Sequence, residues 1–169
     1  VIMSDILNDP EEIESRIKSV LRDLDVNYEW IEIDPEFADT ANFCEKYGFP
    51  LEKSVNTIIV ASKRGEKTYS ASALLATDRL DVNHKVKQLM NVSRLSFANA
   101  DDTMALTDMI TGGVTLFGLP DSIPVYIDSK ILSSDYVIIG GGSRSGKIKL
   151  PPKEILKIPS ALSIDSLSL

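Results

Sequence analysis

Asn56-Thr57-Ile58-Ile59-Val60-Ala61-Ser62-Lys63-Arg64-Gly65-Glu66-Lys67-Thr68-Tyr69-Ser70-Ala71-Ser72-Ala73-Leu74-Leu75 holds two runs rich in strand formers, 56–61 and 68–75. Lys63 to Glu66 between them carries the glycine and charge of a surface turn, so the stretch predicts an antiparallel hairpin. On either side, helical and strand patterns alternate irregularly, without an internal repeat. This order predicts an α+β domain over 1–169, with a central mixed, largely antiparallel sheet flanked by helices.

Upstream, Asp9 and Pro10 open a helix reaching about residue 25, with Ile13, Ile17, Val20, Leu21 and Leu24 on one stripe. Residues 28–33 read as a strand. A second helix starts near Asp39 or Thr40 and ends by Gly48, with Phe37, Ala41 and Cys44 inward. Downstream, Asp81 caps a third helix, and residues 94–97 form a short strand. Asp101 starts a fourth helix that carries Met104, Leu106, Met109 and Ile110. Residues 125–127, 136–139 and 147–150 are strands, 152–158 a short helix, and the Ser/Leu-rich tail 160–169 is expected to be loosely ordered.

The 169 residues carry a formal charge of -7, with 43% hydrophobic and 25% charged residues. These values fit a globular chain and exclude disorder or coiled coil as its main state. An acidic chain gains little from the counterion release that drives non-specific DNA binding, so contact with DNA is not expected. No apolar run approaches the roughly 20 residues that span a bilayer, and Val1 to Ser4 begins no secretory leader, so neither a membrane nor export is expected and cytoplasm is the default. One cysteine and one histidine cannot build the usual zinc site, so neither metal nor cofactor is expected.

Gly141 to Lys147 fits G-x-x-x-x-G-K, but Ile148 stands where magnesium coordination needs a hydroxyl. Residues 147–150 alternate as a strand, which favours a glycine hairpin turn over a phosphate loop. His84 falls off its helix's apolar stripe and is expected to face solvent, and Cys44 is expected to be a buried small hydrophobe. Gly112-Gly113 has two readings of equal standing. It is a helix C-cap, or a loop whose backbone amides hold an anionic oxygen.

Asn56-Thr57-Ile58-Ile59-Val60, Thr77-Asp78-Arg79-Leu80-Asp81, Thr111-Gly112-Gly113-Val114, Gly118-Leu119-Pro120, residues 123–128 and residues 136–142 follow one another in a characteristic order. In that order the chain resembles the YbaK/prolyl-tRNA synthetase-associated domain family over roughly residues 39–158. The resemblance implies a freestanding deacylase that hydrolyses the ester of mischarged tRNA. The family's reaction uses a strand-start lysine, a G-x-x-x-P loop and a water assisted by the terminal ribose hydroxyl.

Carried over, Asn56 anchors the acceptor end, while Gly112, Gly113 and Val114 supply backbone donors to the ester oxygen. Thr57, Thr115, Leu116 and Gly118 contact substrate, and Asp128 with Gly140, Gly141 and Gly142 shapes the rim. The implied partners are the tRNA acceptor end and, secondly, an aminoacyl-tRNA synthetase. Two positions depart from the pattern: Asn56 replaces the lysine and Leu116 the proline. Asn56 can donate a hydrogen bond but adds no charge, and a lost charge-assisted contact costs about 1.5–3 kcal/mol. Lys53, Lys63 and Arg144 are the candidates to restore the charge. The alternative function is a catalytically impaired module that binds a tRNA end, an amino acid or a synthetase.

Overall fold

The computed structural model describes residues 9–169; the expectation for Val1 to Ser4 lies outside them. Asp9 accepts a hydrogen bond from the Glu11 amide at 3.1 Å and caps α1 (Pro10–Asp23). Ile13, Ile17 and Leu21 are buried along one face of α1, and Val20 and Leu24 pack at its edge. β1 (Glu29–Glu32) follows.

A 3-10 turn, Pro35–Phe37, then leads into α2 (Thr40–Tyr47), which Gly48 ends at φ 76°. Phe43 and Cys44 are the buried residues of α2, whereas Ala41 is exposed and Phe37 half-buried. The expected inner face is thus displaced, because the Phe43 ring stacks on Phe49 with centroids 5.4 Å apart and takes the core position.

The predicted hairpin is present as β2 (Val55–Ser62) and β3 (Tyr69–Leu75), paired antiparallel from Val55↔Leu75 to Ala61↔Tyr69. A π-helical turn, Val82–Val86, runs into α3 (Lys87–Met90), and Asp81 accepts from the His84 amide at 3.2 Å. β4 (Leu95–Phe97) pairs with the other edge of β2.

α4 (Ala100–Thr107) is capped by Asn99, not Asp101, through the Asp102 amide at 2.7 Å. Its buried residues are Thr103 and Thr107, and Asp108 at φ 55° ends the helix before Met109. The expected apolar stripe therefore breaks: Met109 is fully buried from the loop beyond the helix.

β5 (Val125–Asp128) runs parallel to β3. The tail is a strand, β8 (Ala161–Ile164), parallel to β5, with Leu167 buried and the Leu169 amide bonded to Arg79 O at 2.7 Å. The tail expected to be loosely ordered is thus regular, because pairing with β5 supplies its backbone with partners. The five-stranded mixed sheet has the order β4-β2-β3-β5-β8.

β6 (Val137–Gly140) and β7 (Gly146–Leu150) form an antiparallel hairpin that adds β1 in the order β1-β7-β6. The glycine-rich segment 141–145 is the turn of this hairpin. A parallel bridge between Ser54 and Ile138 joins the two sheets just before the start of β2.

α1 clamps the glycine turns against this frame. A Cβ at Gly142 would lie 2.9 Å from Ile13 and 3.0 Å from Ile17, and one at Gly118 2.8 Å from Ile17. Ile17→Ala should lower stability by about 2–5 kcal/mol, the range for a fully buried aliphatic side chain that leaves a cavity. Urea denaturation measures it, and a loss under about 1 kcal/mol would contradict this packing role.

Candidate functional site

Where β2, the Thr111–Val114 loop and the β6–β7 hairpin converge, a cleft of about 500 Å³ opens. Asp39, Thr40, Asn56, Thr57, Phe97, Thr111, Gly112, Val114, Gly140 and Lys147 line it, together with aliphatic residues of β2.

The loop is fixed by its backbone. The Gly113 amide donates to Ile110 O at 2.9 Å, the Ile110 amide to Gly142 O at 3.0 Å and the Gly142 amide to Gly113 O at 2.6 Å. A Cβ at Gly113 would overlap the Ser143 carbonyl, and one at Gly140 would sit 2.6 Å from Val114 O. Glycine is required at both by close approach of two segments of the backbone. The amides of Gly112 and Val114 have no acceptor among the described residues, and both residues line the cleft. The helix C-cap reading fails, because Asp108 already ends α4 four residues before Gly112; Gly113 is instead tied into a turn, while the Gly112 and Val114 amides have no acceptor among the described residues.

Asn56 lies on β2 and faces Thr40, whose hydroxyl donates to Asn56 Oδ1 at 3.0 Å. With its oxygen engaged, the Asn56 amide nitrogen is left as a donor on the cleft side, with no acceptor among the described residues. Thr57 contributes a buried hydroxyl without a partner in the same wall.

Other candidates lie elsewhere. Leu116 and Gly118 line a separate groove of about 480 Å³, and Arg16 donates to Gly118 O at 3.1 Å. Thr115 is fully buried beside Met109. Asp128 caps the turn Ser129–Ser133 through the Lys130 amide at 3.3 Å. Gly141 faces Trp30 and Gly142 faces α1.

The three cations proposed from sequence proximity are also placed. Lys53 pairs with Asp135 and stacks over Tyr136, and Lys63 sits exposed in the β2–β3 turn. Arg144 lies over Gly112, where a Cβ would overlap its guanidinium, and is bonded to Asp39 Oδ1 and Pro35 O at 3.2 Å each.

The cation facing the cleft is Lys147, which the sequence singles out only as the end of the G-x-x-x-x-G-K pattern and assigns to a strand. It is 7% exposed, pairs with Gly140 across the hairpin, and has no carboxylate within 4.0 Å among the described residues. Its Nζ lies 5.2 Å from the Phe43 ring centroid. Burial lowers its pKa, partly opposed by Cys44 and Asp39, and Arg144 lowers it further. Lys147 and Lys149 share the face of β7 that alternation assigns to solvent, but Phe43, Phe49 and Tyr136 cover it.

The aminoacyl-tRNA editing domain model matches residues 34–158, which include every cleft-lining residue. The chain belongs to the aminoacyl-tRNA editing domain family. Among solved structures, a proposed trans-editing enzyme for prolyl tRNA synthetase is similar at TM-score 0.79 and 21% identity, covering 93% of this chain and 96% of that one. A hypothetical protein matches at TM-score 0.81 and 22% identity over 91% and 99%. These likenesses show the editing-domain fold. Among the described residues no helix is long and apolar enough to cross a membrane.

The lowered Lys147 pKa has a consequence for stability. Between that value and lysine's ordinary 10.5, the unfolded chain holds the proton and the native cleft does not. Stability contributed through Lys147 therefore rises with pH across that window and is flat below it. Lys147→Met removes the term, so the stability of the variant relative to the native chain should fall as pH rises toward 10.5. Denaturant titrations at pH 7, 8, 9 and 10 check this, and a pH-independent difference would contradict it.

Proposed function

We propose that this editing domain is a freestanding deacylase that hydrolyses the ester joining an amino acid to the 3′ end of tRNA. The observation that carries this is the convergence of the Asn56 amide with the unpaired Gly112 and Val114 amides in one cleft. In ester hydrolysis a water oxygen adds to the carbonyl carbon, and negative charge grows on the carbonyl oxygen. Fixed backbone donors stabilise that charge without reorganising. The C–O bond to the ribose then breaks, releasing the amino acid and a free ribose hydroxyl.

Among the described residues, the titratable side chains lining the cleft are Asp39 and Lys147. Asp39 is paired with Arg144, and we assign proton transfer to water and the substrate's own neighbouring hydroxyl. With a net charge of -7, contact with tRNA is local to the acceptor end.

Incubation with alanyl-, cysteinyl-, seryl- and threonyl-tRNA should show loss of the ester from at least one. Hydrolysis of none, with saturable binding retained, would establish a binding module instead. Asn56→Ala removes one donor and should lower kcat/KM roughly five- to tenfold, the worth of a single hydrogen bond of about 1 kcal/mol or slightly more. An unchanged kcat/KM would remove Asn56 from the site.

A further inference from the structure

We propose that Lys147 is the anion anchor of the cleft and takes a phosphate oxygen of the terminal nucleotide at the acceptor end. The proposal rests on the deacylase function inferred above for the choice of ligand, and on the geometry around Lys147 for the choice of residue.

Lys147 reaches the cleft from β7, the strand across from the loop that carries Gly112 and Val114. It is held on the Phe43 ring at 5.2 Å and is 7% exposed. A buried ammonium is costly unless something pairs with it. Lys147 has no salt-bridge or hydrogen-bond partner among the described residues, while its neighbour Arg144 consumes the nearby Asp39 carboxylate. The titratable and charged groups that act on it are Asp39 and Cys44 from the start and body of α2, and Arg144 from the hairpin turn. Among the described residues, the cleft therefore holds a buried cation with no directly bonded anion. In an aminoacyl ester the amino acid's carboxylate is consumed in the bond and its amine is cationic. The anionic group common to every aminoacyl-tRNA end is phosphate.

The test compares adenosine 5′-monophosphate with adenosine by calorimetry, and measures deacylation in parallel. The native protein should bind the monophosphate at least tenfold more tightly than adenosine. Lys147→Met keeps the apolar stem on Phe43 and should fold, yet lose this preference. Lys147→Arg should retain most of it. With mischarged tRNA, Lys147→Met should raise KM at least tenfold and change kcat less.

Equal binding of the two probes by the native protein, or a preference retained in a folded Lys147→Met, overturns the anchor. Turnover by the native protein with unchanged KM in Lys147→Met overturns it too, while leaving the deacylase function standing. A Lys147-dependent preference in a protein without turnover upholds the anchor and overturns the deacylase function.

Discussion

The site depends on one close approach of backbone to backbone. The Thr111–Val114 loop and the turn between β6 and β7 are bonded through Gly113, Ile110 and Gly142, with no room for a Cβ at Gly113 or Gly140. This contact satisfies Gly113 internally and leaves the Gly112 and Val114 amides without an acceptor among the described residues. It also sets where β7 starts, and so where Lys147 enters the cleft. α1 supports it from behind, with Ile13 and Ile17 against Gly142 and Ile17 also against Gly118.

The consequence is a cleft lined by fixed backbone amides, with Asp39 and Lys147 as its titratable side chains among the described residues. Preorganised amides suit a reaction that develops charge on a carbonyl oxygen, because nothing must move as the charge appears. The single histidine does not line the cleft: its side chain is 84% exposed and contacts Asp81. The single cysteine is buried against the Ser54 hydroxyl at 3.2 Å. It does not line the cleft either.

Local signals made much of this legible. The β2–β3 hairpin follows from two runs of strand formers about a charged turn, and the Asp9 cap and Ile13–Ile17–Leu21 stripe define α1. The Gly112 loop stood out through its glycines. What alternation and proximity could not provide was the covering of surfaces by distant segments. Lys147 reads as solvent-facing in isolation because the aromatic residue beneath it, Phe43, lies about a hundred positions earlier on α2. Leu116, Gly118 and Asp128 follow the loop in sequence, but the chain turns after Val114 and carries them to another groove or to a helical cap. The tail reads as irregular because an edge strand needs its partner, β5, to become regular.

The most direct test of the account follows the backbone amides by NMR while a non-hydrolysable 3′-aminoacylamino-3′-deoxyadenosine is titrated in. The convergence of donors predicts saturable shifts centred on the amides of Gly112 and Val114 and on the Asn56 side chain, with Gly113 shifting little because its amide is already bonded to Ile110 O. Shifts centred instead on the groove of Arg16, Phe117 and Gly118, or none at saturating analogue, would contradict it.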